Sequence, residues 1–170
     1  MTSAETTTPI WDFVLKFYGR PGVSEACIGL QDSVGIDVNM VLFLMWMAGQ
    51  GRAVAADDVK TVSERSRGWQ HEVVVPIRSV RRLLKANAPL VDAEAAAAYR
   101  KKVQAVELEG EQLQLNAMAA LAQSFKTASM PAPGAARGNL EAFQQVVGKQ
   151  FPQPAVDTFV RALTEVVDGH

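Results

Sequence analysis

VNMVLFLMWMAG, residues Val38 to Gly49, is the most apolar run of the chain. It is 12 residues long and interrupted by Asn39, far short of the roughly 20 that a membrane-spanning helix needs. Read as a helix over about 38–50, it is apolar on every face, and a helix of that kind in a soluble protein must be surrounded by protein. The run therefore predicts a central helix on which the others pack. Asp37 stands where a carboxylate can cap it, and Gly49-Gln50-Gly51 closes it with a turn.

Helix signals continue on both sides. Thr8 then Pro9 reads as a hydroxyl cap and a proline in the first turn. Ile10, Phe13, Val14 and Phe17 follow at i, i+3, i+4, i+7, one buried stripe ending near Gly19. Pro21 opens a second helix with Val23, Ala26, Cys27, Leu30 and Val34 on its apolar face, stopped by Gly35. A fourth helix is expected over about 57–67, broken by Gly68. A fifth runs over about 69–86 on the stripe Val73, Ile77, Val80 and Leu84. Pro76 falls inside it and predicts a kink or restart. After an Asn87-Ala88-Pro89 loop, Asp92 caps the longest helix, about 92–126, with Tyr99, Val103, Val106, Gly110 and Leu113 as its seam. MPAPGAARG, residues 130–138, reads as a linker, and a pair of short amphipathic helices follows over about 139–149 and 154–167. The expectation is an all-α, single-domain bundle over 1–129, a linker over 130–138 and a C-terminal helical extension over 139–170.

The chain of 170 residues is long enough for one domain with a proper core. Its net charge of −1 gives no global pull toward nucleic acid or acidic membranes. The charge is uneven, however: residues 60–102 hold ten Lys/Arg against four Asp/Glu, a local +6. With Cys27 as the single cysteine, neither an internal disulfide nor a Cys-rich metal site can form. The N-terminal MTSAETTTP lacks the basic and apolar regions of a secretory signal, so the chain is expected in the cytoplasm with no membrane span.

Three blocks form a recognisable set: Phe17-Tyr18 with Pro21-Gly22-Val23; Gly35, Asp37-Val38-Asn39, Leu42-Phe43 and Trp46; and Pro76, Arg78 and Arg81. With these motifs the chain resembles a family of small proteobacterial helical proteins, a domain of unknown function, over roughly residues 9–112. The resemblance implies a bacterial single-domain protein and carries no catalytic residue.

Among candidates for chemistry, Arg78, Arg82 and Lys85 share one face of the fifth helix at i, i+4, i+7, with Arg81 beside them. They read as a solvated face, as internal partners of Asp32 and Asp37, or as a site for an anion or acidic partner. Arg78 is the expected internal arginine, and Arg82 and Lys85 the open ones. Asp32, Asp37 and Asn39 gather beside the central helix; oxygen ligands suit a hard cation, but a cap for Asp37 and solvent for Asp32 are the simpler roles. Nucleic acid is disfavoured, because Trp69 is the only aromatic near the basic face of the fifth helix. His71 and Glu72 are adjacent and point different ways on a helix. Cys27 lies on an apolar stripe as a core thiol. No nucleotide, dinucleotide or zinc motif is present, and no cofactor or metal is expected.

The expected function is a non-enzymatic interaction or regulatory protein with an unknown protein partner, using the basic helix face and the C-terminal helices. The alternative is a small anionic-ligand-binding protein or enzyme with a site between helices two, three and five, built from Asp32, Asp37, Asn39, Arg78, Arg82 and Lys85.

Overall fold

A computed structural model describes residues 8–88 and 90–169. Expectations for residues 1–7, Pro89 and His170 lie outside the described residues. The chain folds as an all-α bundle: α1 Pro9–Tyr18, α2 Val23–Ser33, α3 Val38–Gly49, α4 Ala56–Trp69, α5 Val75–Ala86, α6 Ala93–Leu121, α7 Ala132–Val147 and α8 Gln153–Asp168. A two-residue antiparallel pairing of β1 Arg52–Ala53 with β2 Ala128–Ser129 ties the loop after α3 to the segment before α7.

The central helix is where its composition puts it. Met40 to Met45 are all buried, Leu42 and Phe43 among them, and α3 meets α1, α2, α6, α7 and α8. The Asp37 carboxylate accepts from the Asn39 backbone N–H at 2.9 Å and caps α3. At α1 the cap differs from expectation: the Thr8 hydroxyl makes no bond to the helix end. It donates to Asn116 Oδ1 at 2.6 Å instead.

Gly68 does not break the chain. α4 and α5 are joined by one π-helical turn, Gln70–Val74, in continuous helix from Ala56 to Ala86. A glycine costs a helix only about 1 kcal/mol, and Trp69 next to it is anchored, its indole N–H donating to the Gly110 carbonyl at 2.9 Å. Pro76 is absorbed by the wider turn: the Val75 N–H reaches back five residues to the Gln70 carbonyl, so the proline sits just past a turn already displaced from the α register.

Two expected seams are rotated. In α5 no residue is fully buried; Ile77 and Leu84 are half-buried and Val80 is exposed. In α6, Gly110 is buried as expected, but Tyr99, Val106 and Leu113 are exposed and Val103 half-buried, whereas Glu107, Gln114, Leu115 and Met118 are buried. Polar partners on neighbouring helices, described below, draw Glu107 and Gln114 inward.

The linker expectation is corrected. Residues 132–138 form the first half of α7, with Ala135 and Ala136 fully buried. Small side chains that resemble a linker in composition here allow close helix contact. Asn139, also buried, fixes the approach. Its amide donates to the Leu44 and Arg52 carbonyls, both at 3.1 Å, and its Oδ1 accepts from the Val54 N–H at 2.7 Å. α8 docks beside α7, with Phe159 against Phe17 at a 6.2 Å ring separation.

Candidate functional site

A cleft of about 720 Å³ opens between α1 and α2 on one side and α5 and α6 on the other, with the start of α3 at its floor. Arg78 lies at its centre. Its Nε donates to Glu107 Oε1 at 2.9 Å, its Nη1 to Gln31 Oε1 at 2.8 Å and its Nη2 to Glu111 Oε1 at 2.6 Å. Arg81 joins from the next turn, bonding both oxygens of Glu107. One carboxylate thus serves two guanidinium groups, and Arg78 spends every nitrogen on the protein itself.

The floor continues the network. Gln114 Nε2 donates to Asp37 Oδ2 at 2.6 Å, and Asn39 Nδ2 donates to Gln114 Oε1 at 2.9 Å. Asp37, Asn39 and Gln114 therefore close a ring of hydrogen bonds between the capped end of α3 and α6. This satisfies polar groups whose burial would otherwise be costly.

The carboxyl groups differ in their proton affinity. Burial pushes Asp37 above the usual carboxylate range, against the Asn39 and Gln114 hydrogen bonds. Burial also raises Glu111, and the opposing charge of Arg78 does not fully offset it. For Glu107 burial acts the same way, but Arg81 and Arg78 outweigh it and hold the carboxyl below its ordinary value. The Cys27 thiol is pushed up to about 12 by burial, so it is not an activated nucleophile at neutral pH.

Of the six residues named from sequence, Asp37, Asn39, Arg78 and Arg82 line the cleft, while Asp32 and Lys85 do not. Arg78 is internal as expected, but its partners are Glu107, Glu111 and Gln31 rather than Asp32 or Asp37. The reach from α5 is across to α6. Arg82 approaches Asp32 at 3.9 Å with both side chains mostly in water, a pairing of little energetic weight. Lys85 is exposed near the end of α5. Among the described residues, no group of three His, Cys, Asp or Glu side chains is placed to hold a metal. Sequence reasoning missed Glu107, Glu111 and Gln114. The signal was present, for their i, i+4, i+7 spacing on α6 repeats that of Arg78, Arg82 and Lys85 on α5.

The family model described as "Protein of unknown function (DUF2390)" matches residues 9–118. The chain belongs to this family. The DUF2390 match takes in α1 to α5 and most of α6, hence both walls of the cleft and every member of the polar network. α7 and α8 lie beyond the DUF2390 match although they cover α3. No curated protein and no solved structure matches the chain.

Proposed function

We propose that this chain is a non-catalytic interaction protein that takes an amphipathic segment of a partner protein in the cleft between the α1–α2 wall and the α5–α6 wall. The observation that carries this reading is the rim. Leu15, Ile28 and Leu108 are 55%, 52% and 50% exposed, and with Tyr18 they border one concavity. Large apolar side chains gathered around a groove mark a docking surface, and the helix-in-groove mode uses such a surface. The partner's apolar face would lie against this rim. An acidic residue beside it would meet Arg82, with Lys85 nearby on the same helix, which favours orientation and encounter more than raw affinity. Arg78 and Arg81 are balanced by Glu107 and Glu111, and Asp37 is held by hydrogen bonds from Asn39 and Gln114, so docking needs no rearrangement there. α7 and α8 bury their apolar faces against the bundle, which supports a docking surface on the basic helix side rather than on the C-terminal helices. We take the source to be a proteobacterium, as the motif resemblance implies, and the compartment to be the cytoplasm.

A photo-crosslinking residue in place of Ile28, tested in growing cells, should yield a discrete protein adduct. The same residue at Lys60, exposed on α4, should yield none, and Leu108→Asp should abolish the Ile28 adduct. Equal adducts at both positions, or none at Ile28, would overturn the reading. A second reading, a small amphiphilic anion in the same cleft, is favoured by the volume, which falls in the range of small-molecule pockets. Native mass spectrometry showing a bound small molecule, lost in Leu108→Asp, would select it.

A further inference from the structure

A second cleft, of about 310 Å³, lies on the other side of Asp37, between α4 with its π-helical turn and the end of α7. The inward line of α4 explains why it exists. Val59, Val62 and Val74 are buried apolar residues on that line. Between them, at helical spacing, stand Ser66 and Gln70, where large apolar side chains would close the bundle. The cleft is the space that this serine and glutamine leave.

One wall is apolar, with Val34, Ile36, Met40, Phe143, Val146 and Val147, and the other is polar, with Arg67 and Lys149 against the single carboxylate of Asp37. Ser63, Ser66, Arg67, Gln70 and His71 follow one another at i, i+3, i+4, i+7, i+8 and all border the cleft. Lys149 faces them from the end of α7, held by donation from Nζ to the Val34 carbonyl at 2.6 Å. Asp37 is the acidic member, and both its oxygens are engaged, by the Asn39 N–H and Gln114. Gln70 is only 7% exposed, and its Oε1 is buried with no hydrogen-bond partner among the described residues. A buried amide oxygen without a donor is costly, and such orphans call for an explanation in a native fold. The π-helical turn that begins at Gln70 is itself a feature found often at functional sites.

We propose that this second cleft is a binding site for a small organic anion, a carboxylate or phosphate that also carries a hydroxyl or amino donor. Arg67 and Lys149 take the anionic group, with the Ser63 hydroxyl beside it, and Gln70 Oε1 accepts from the donor. The site is separate from the partner cleft and does not depend on it.

The test is an NMR titration of the 15N-labelled full-length protein at constant pH and ionic strength. The probes are inorganic phosphate and malate, with glycerol as the uncharged control. The expected result is a saturable shift of the Gln70 side-chain NH₂ and of backbone amides from Ser63 to His71, with one or both anions and not with glycerol. Half-saturation is expected at about 1 mM. Phosphate alone, or malate alone, identifies which anionic group the site prefers. Arg67→Ala and Gln70→Leu should each weaken binding about tenfold or more, while Arg82→Ala, in the other cleft, leaves it unchanged. Arg67 is exposed, so Arg67→Ala decides the matter even if the buried Gln70 variant fails to fold. Absence of saturable shifts with either anion, or equal affinity in Arg67→Ala, overturns the proposal.

Discussion

Arg78 and Arg82 are one helical turn apart and live in different electrical environments. Removing Arg78 strands Glu107, which is 6% exposed, beside a single remaining guanidinium. Arg78→Ala should therefore cost roughly 3–5 kcal/mol in urea unfolding. Arg82→Ala, whose partner is 3.9 Å away in water, should stay within about 0.5 kcal/mol. Equal effects would mean that the network does not hold the helices. The same carboxyl groups set an acid profile. Asp37 and Glu111 hold protons more tightly folded than unfolded, so acidification from neutrality through their raised range adds stability. Glu107 has the opposite sign: its contribution is present above the ordinary carboxylate range and is lost as pH falls through its lowered folded value. Unfolding free energy along a pH series should rise and then fall, and Glu111→Gln should flatten the rise; a monotonic fall from neutrality would refute it. The cap at Asp37 and the interior place of Arg78 were legible from residue type and spacing. The partners of Arg78 were marked only by the matching i, i+4, i+7 spacing of Glu107, Glu111 and Gln114, which does not by itself say that this face turns inward; that depends on how α6 rotates against α5.

At the scale of elements, the π-helical turn changes what Pro76 means. An interior proline ordinarily costs a helix about 3 kcal/mol. Here the turn before it has already shifted the hydrogen-bond register, so Pro76→Ala should gain well under that amount by thermal unfolding. A gain of the full size would show that the turn offers no relief. Gly110 offers a companion test. It lies in mid-helix, and an added Cβ would meet Val74 Cγ2 at 3.8 Å, an ordinary contact. Gly110→Ala should stabilise by about 0.5–1 kcal/mol through helix propensity, read as a raised melting temperature. Helix existence was legible almost throughout, since periodicity of apolar residues reports it directly. Two errors share a cause. Gly68 and the Pro/Gly/Ala run of 130–138 read as punctuation in the sequence, yet an exposed glycine with open space around it is simply carried along in a continuous helix, and small residues also let helices approach closely, as Ala135 and Ala136 do. Composition alone does not separate the two uses.

At the scale of the molecule, α3 takes neighbours from both ends of the chain. Deleting residues 131–170 would strip α7 and α8 from it, and the remaining chain should lose cooperative unfolding and aggregate, as circular dichroism and size-exclusion chromatography would show. A soluble truncated chain with a sharp melting transition would mean that α6 and α1 suffice to cover it. The all-α class followed from the apolar run, but the role of the last forty residues did not, because their amphipathic faces look alike whether docked or free. The placement of α3 also has a consequence during synthesis. Of the helices that cover it, α7 and α8 are made more than 80 residues after it. At elongation rates of about 5–20 residues per second that delay is roughly 4–16 s, during which an uncharged dodecamer with no polar face waits only partly covered in a crowded solution. Such a nascent chain is a natural client for chaperones that hold apolar segments, and its yield on expression should depend on their supply more than its final stability suggests.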